Sequence, residues 1–271
     1  TSIYELLEKK FNKVIQRVAS LTFLFTRIFA DAVRFAAIAI IVQSITNLPI
    51  TFSIIIVALV TFIYTVLGGL KTIIHIDAFQ FFIYIISALI CIVSLFIYID
   101  LPIKNVMSEL NSLNKFKLLD FSGDFLKNPF TFFSAFLGGT MLSFASHGAD
   151  YMMVQRVLAT KNIKSAKKAM IGSGIFVFIQ FSIFLLVGTL LAQYFQTQDL
   201  ESLKISSDYV DAQWNVLKDR EFPLFINYFL SPGVRGILLV GVLSAAMSTI
   251  SSSINALSSS TVRDILNIKD D

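Results

Sequence analysis

Ser244-Ala-Ala-Met-Ser-Thr-Ile-Ser-Ser-Ser-Ile-Asn-Ala-Leu-Ser-Ser-Ser260 sets hydroxyls at helical spacing inside a strongly apolar chain. A helix that only faces lipid has no use for them. Ser248, Thr249, Ser251 and Ser252 recur at intervals of three and four, so two or three hydroxyls share one face and can offer oxygen to a small hard cation. Small residues also let two helices pack closely in a membrane, and the run alone is compatible with either role.

The rest of the chain supplies the membrane. Of 271 residues, 55% are hydrophobic, 27 are Phe and 15% are charged, with a mean hydropathy of +0.75. That composition excludes an ordinary soluble core and predicts an all-α, polytopic membrane protein. Apolar stretches recur at 18–43, 51–68, 78–99, 129–153, 169–194 and 234–260, each close to the roughly 20 residues a spanning helix needs. Six spans return the chain to the side on which it started. It opens at Thr1-Ser-Ile-Tyr-Glu with no basic leader or cleavage site and reads as a fragment forming one transmembrane domain, 1–271.

The sequence pI near 9.1 suggests nucleic acid in a soluble protein, but here the basic residues sort by membrane side, so no nucleic-acid partner is expected. Lys9, Lys10, Lys13, Arg17, Lys71, Arg156, Lys161, Lys164, Lys167, Lys168, Arg263 and Lys269 fall on one face, and the tight turn Ser44 to Ile50 on the other has none. The basic face is expected to be cytoplasmic. The longer loops 100–128 and 195–233 carry Asp100, Glu109, Asp120, Asp124, Asp199, Glu201, Asp208, Asp211, Asp219 and Glu221 among their lysines and arginines and read as extracellular. Cys91 is the only cysteine, and His75 and His147 are far apart in sequence. Neither a disulfide within the chain nor a metal cluster is expected.

Residues 1–17 pattern as an amphipathic cytoplasmic segment, with Glu5 and Glu8 leading into Lys9, Lys10 and Lys13. Leu67-Gly68-Gly69-Leu70 is expected to end the second span and Ile76-Asp77 to begin the third, with Asp77 as a helix cap. The segment 154–168 reads as a basic cytoplasmic loop, and Gln213 to Leu230 as holding a short surface helix before Pro232-Gly233. Gly138-Gly139 and Ser143-Phe-Ala-Ser-His-Gly-Ala-Asp150 predict a broken fourth span, which in a bilayer survives only where protein or a watery cavity covers it.

Arg27, Asp31 and Arg34 at i, i+4 and i+7 lie on one face of the first span. One carboxylate cannot neutralise two guanidiniums, so a third partner is implied, either an anionic substrate or another acid in a part of the protein that this chain does not include. Asp77, set at similar depth to the serine-rich last span, is expected near Ser252, where a carboxylate and neutral oxygens make a sodium site. No nucleophile with its base, phosphate-cradling loop or metal-ligand pattern points to an enzyme. Transport is the class the residues favour.

Four segments taken in order resemble the sodium:solute symporter family, which includes sodium-coupled sugar, proline, pantothenate and sialic acid carriers. They are Thr1-Ser-Ile-Tyr-Glu-Leu-Leu-Glu-Lys-Lys-Phe, Tyr64-Thr-Val-Leu-Gly-Gly-Leu-Lys before His75-Ile-Asp-Ala-Phe-Gln80, Val154-Gln-Arg-Val-Leu-Ala-Thr-Lys161, and Ser244-Ala-Ala-Met-Ser-Thr249. The resemblance implies a leucine-transporter-like fold of inverted repeats, of which this chain carries core helices three to eight. It implies sodium at the carbonyl of Ala245 and the hydroxyls of Ser248 and Thr249, and a second sodium at Asp77, Ser248, Ser251 and Ser252. The positions used for galactose in sugar carriers are Ser143, Ser146 and Val177 here, which lack that set of side chains. Arg27 and Arg34 flank the register of an arginine that holds the substrate carboxylate in sialic acid carriers. The expected activity is symport of sodium with a sugar, sialic acid or other organic acid across a cell membrane, with a bacterial inner membrane suited to the compact loops. A membrane sensor built on the same fold is the alternative, and a passive channel a third reading.

Overall fold

The structure, a computed structural model, describes residues 3–46, 48–99, 101–112, 117, 119–122, 127–217 and 219–268. Asp100, Asp124, Lys269 and the first two residues of the opening motif lie outside them. The order is α1 (Ile3–Lys10), α2 (Lys13–Thr46), α3 (Ile50–Ile99), α4 (Ile103–Ser112), α5 (Phe132–Gly148), α6 (Tyr151–Leu158), α7 (Ile163–Gln196), α8 (Glu221–Leu224) and α9 (Pro232–Ser260). Single π-helical turns follow α8, at Phe225–Phe229, and α9, at Thr261–Ile265. Among the described residues the only β pairing is one bridge, Val210 to Val216. Helices Ile50–Ile99, Ile163–Gln196 and Pro232–Ile265 are long and apolar enough to cross a membrane. Each of the six expected apolar stretches is mainly helical, two of them as the halves of α3 and the fourth interrupted near its end.

A straight α3 of 50 residues would run about 75 Å, over twice a hydrocarbon core of about 30 Å. Gly69 solves this with φ 60° and ψ −179°, a conformation closed in practice to other residues. A Cβ built on Gly68 would lie 2.8 Å from Thr72 Cβ, where a regular helix keeps such pairs roughly 5–6 Å apart, so the chain bends sharply here. The expected break from Gly68 to Ile76 is therefore confined to one residue. Asp77 accordingly sits two turns inside the second half of α3 and caps nothing.

Three further boundaries differ from expectation. The amphipathic segment ends at Lys10, because Asn12 Oδ1 accepts the Ile15 amide at 2.9 Å and starts α2. Gly138 and Gly139 remain helical, and the expected break in the fourth span falls at the far end of the Ser143 to Asp150 segment, at Ala149-Asp150, where Asp150 caps α6 by accepting the Met152 amide at 2.9 Å. The helical turn in the last loop spans Glu221–Phe229 and leaves Gln213 outside it.

The centre of the packing is α9, which lies against the bent α3 and then α2. Its Gly241 allows the approach: a Cβ there would meet Ser87 Cβ and Oγ at 2.4 Å, and Ser87 Oγ donates to the Ile237 carbonyl across the contact at 3.1 Å. At one end, α4 drops Val106 and Leu110 into a core with Leu95, Leu190, Tyr194, Phe225 and Leu238. At the other, Tyr4 of α1 packs with Phe23, Tyr151 and Ala256. The Tyr4 hydroxyl donates to the Ala149 carbonyl at 3.1 Å, covering the broken span. Burial holds this phenol's pKa well above its usual value, so it remains a donor. Helix α5 has no buried residue.

Candidate functional site

Helical periodicity sorts the polar residues of α9 onto separate faces. On one face, Ser252 Oγ donates to Asp77 Oδ2 at 2.9 Å, and Ser251 Oγ reaches Asp77 Oδ1 at 3.5 Å while also donating to the Ser248 carbonyl at 3.1 Å. The expected approach of Asp77 to Ser252 is present. Ser248 and Asp77 both line a cavity of about 510 Å³ bounded by α3, α6, α7 and α9. Asp77, Ser251 and Ser252 are buried. A carboxylate surrounded by hydroxyls suits a monovalent cation better than a transition metal, which prefers nitrogen or sulfur.

Arg156 already stands at this carboxylate. Its guanidinium donates to Asp77 and to Ser252 Oγ, so the site holds an ion pair. Arg156 is expected in a basic cytoplasmic loop from the sequence, and the structure corrects this. Residues 151–158 are helix α6, whose Tyr151, Val154 and Gln155 are buried against the molecule and turn Arg156 inward. The available signal was the pattern Val154-Gln-Arg-Val-Leu158, an amphipathic turn rather than a polar loop. Gln155 locks α6 to α9 by accepting from Asn255 Nδ2 at 3.0 Å and donating to the Ser252 carbonyl at 3.4 Å. Tyr64, on the first half of α3, donates to the Met247 carbonyl at 2.9 Å.

A second face of α9 carries Ala245 and Thr249, which line a different cavity of about 510 Å³ together with Arg34, Tyr84 and Cys91. Thr249 Oγ1 donates to the Ala245 carbonyl at 3.2 Å. Ser248 thus belongs to the Asp77 side, and Ala245 and Thr249 to the Arg34 side.

The third face carries Ser253. Its hydroxyl accepts from Arg27 Nε at 2.7 Å and donates to Asp31. Arg27 also lies 3.3 Å from Asp31 and 3.5 Å from Asp150, and Arg34 lies 2.8 Å from Asp31. The second acid that the two arginines require is Asp150, at the break before α6, so it lies within this chain and not, as expected, outside it. This separates the arginines: Arg27 is buried in an internal network, and Arg34 faces a cavity.

Nor do the four residues expected at the substrate share one site. Ser143 lies on α5 with His147 in another cavity of about 760 Å³, and Ser146 Oγ pairs with His147 Nδ1 at 2.9 Å. Helix α5 makes few contacts with α2 and α9, so nothing draws these serines toward Arg34.

The model of the sodium:solute symporter family matches residues 2–269. The chain belongs to the sodium:solute symporter family. It is 26% identical over 269 residues to the human (Homo sapiens) sodium/iodide cotransporter, covering 98% of this chain and 40% of that protein. To the bovine (Bos taurus) sodium-coupled monocarboxylate transporter 2 it is 27% identical over 270 residues, covering 98% and 42%. The chain therefore spans less than half the length of these curated relatives. Its structure superposes on a Na+-coupled sialic acid symporter in the substrate-bound outward-open state with a TM-score of 0.86 and 25% identity, covering all of this chain and 55% of that one. The sodium:solute symporter chain is thus all-α and multi-pass, and it has the leucine-transporter-like fold expected from the sequence.

Proposed function

We propose that this chain is the ion-coupling part of a symporter that moves sodium inward with a small polar organic solute by alternating access. The observation that carries the reading is the convergence of Ser248, Ser251 and Ser252 of α9 on Asp77 of α3. One carboxylate and neutral oxygens match the charge and hardness of sodium. Family membership and the similarity to sodium-coupled transporters support the choice of ion.

In this reading one sodium takes the Ala245 carbonyl and the Thr249 hydroxyl, with Ser248 turning toward it from the neighbouring face of α9, and a second takes Asp77 with Ser248, Ser251 and Ser252. The second ion enters as Arg156 gives up its hold on Asp77. Arg34 is the chain's best-placed group for a solute carboxylate, because it alone of the two arginines reaches a cavity. Arg27 keeps α2, α9 and α6 in register. Ser143 and Ser146 come into play if α5 closes toward that cavity. The solute class is a sugar, a sialic acid or another organic acid, and no covalent bond is made or broken. The basic ends of α1, α2 and α7 face the cytoplasm, and the loops 100–128 and 195–233 face outward, an arrangement that suits a bacterial inner membrane.

Uptake of labelled solutes into proteoliposomes containing the full-length protein tests the reading. Asp77→Asn is expected to lower the number of sodium ions moved per solute, whereas Ser248→Ala or Thr249→Val weakens sodium dependence itself. Unchanged sodium-driven uptake in all three variants contradicts it.

A further inference from the structure

The first turns of α7 carry a basic surface that ion coupling does not use. Asn162 Oδ1 accepts the Ser165 amide at 2.9 Å and fixes the helix start. That places Lys164, Lys167 and Lys168 on one face at i, i+3 and i+4, with Lys161 just before the cap. All four are exposed. The sequence holds no Asp or Glu between Asp150 and Asp199, and among the described residues none of the four lysines makes an ion pair.

The apolar remainder of α7 sets the depth of these lysines. From Ala169 to Gln193 there is no charged residue, and that helical stretch runs about 37 Å, enough to cross a hydrocarbon core of about 30 Å. The lysines therefore stand where the apolar run begins, at the level of lipid headgroups. Ile163, 75% exposed, and Ile171, 68% exposed, flank them with apolar surface. At the same end the junction of α1 and α2 exposes Phe11 and Val14 beside Lys10.

We propose that Lys161, Lys164, Lys167 and Lys168, with Ile163 and Ile171, form a docking surface for anionic phospholipid in the adjoining leaflet. Charge complementarity selects the anionic headgroup, and the neighbouring isoleucines at headgroup depth select a bilayer over a soluble polyanion. The proposal rests on membrane insertion and is independent of which ion or solute is carried.

The test titrates the purified full-length protein, in neutral detergent, with mixed micelles of phosphatidylglycerol or phosphatidylcholine and follows the thermal unfolding midpoint. Phosphatidylglycerol is expected to raise the midpoint at low salt, and less so at high salt. The variant with all four lysines changed to Gln is expected to need at least about tenfold more phosphatidylglycerol for half the shift. The variant with all four changed to Arg stays within about twofold of wild type, since charge is what the headgroup reads. The pairs Lys161→Gln with Lys164→Gln and Lys167→Gln with Lys168→Gln each lose part of the response. A Gln variant that responds like wild type, an equal shift with phosphatidylcholine, or the same shift with soluble glycerol phosphate overturns the proposal.

Discussion

Ser253 serves two opposite charges with one hydroxyl, accepting from Arg27 and donating to Asp31 inside the helix packing. Ser253→Ala leaves both charges short of a partner, and the expected loss of stability is about 1–3 kcal/mol by thermal unfolding in detergent. Ser253→Thr, which keeps the hydroxyl, is expected to retain more of it. Arg156 gives a second prediction. Arg156→Gln removes the guanidinium from Asp77 and is expected to cost about 2–3 kcal/mol, less than for a fully buried pair, because a third of the side chain is exposed. Sodium chloride, and not choline chloride, is expected to restore the unfolding midpoint of Arg156→Gln; equal loss in both salts counts against a cation at Asp77. Residue chemistry was unevenly legible in the sequence. The hydroxyls of α9 and the carboxylate of Asp77 stood out because lipid gives them no reason to exist. Arg156 did not, since a positive charge near a membrane end is explained equally well by topology until the inward face of α6 is known.

At the scale of elements, two glycines do different work. Gly69 is needed for its backbone, since a Cβ there meets nothing within 4 Å yet φ is 60°. Gly69→Ala is expected to destabilise by about 1–3 kcal/mol through strain alone. Gly241 is needed for space. Gly241→Ala is expected to cost about 1–3 kcal/mol through overpacking against Ser87, and pairing it with Ser87→Gly is expected to recover part of that loss in a double-mutant cycle. Gly138→Ala, by contrast, is expected to leave stability unchanged or raised, because the residue is helical with open space around it. Hydropathy located every long helix, but could not say which glycine bends the chain. Gly68-Gly69 and Gly138-Gly139 are the same dipeptide in similar apolar settings. The difference lies in chain length: α3 must turn back to stay within a bilayer, and α5 is short enough to need no bend.

For the whole molecule, α9 is the shared wall of two cavities and one ion network. Ala245 and Thr249 face Arg34, Ser248 faces Asp77, and Ser253 faces Arg27 and Asp31. A tilt of this one helix changes all three at once, which is how the proposed function couples an ion to a solute. A membrane potential contributes about 2.3 kcal/mol per charge per 100 mV, so a second sodium roughly doubles the electrical part of the driving force. The most direct measurement is equilibrium binding of radioactive sodium to the purified full-length protein and to its Asp77→Asn variant. The variant is expected to bind one sodium fewer while keeping the site at Ala245 and Thr249. Equal numbers of sodium ions bound with equal affinity in both proteins would contradict a sodium site at Asp77.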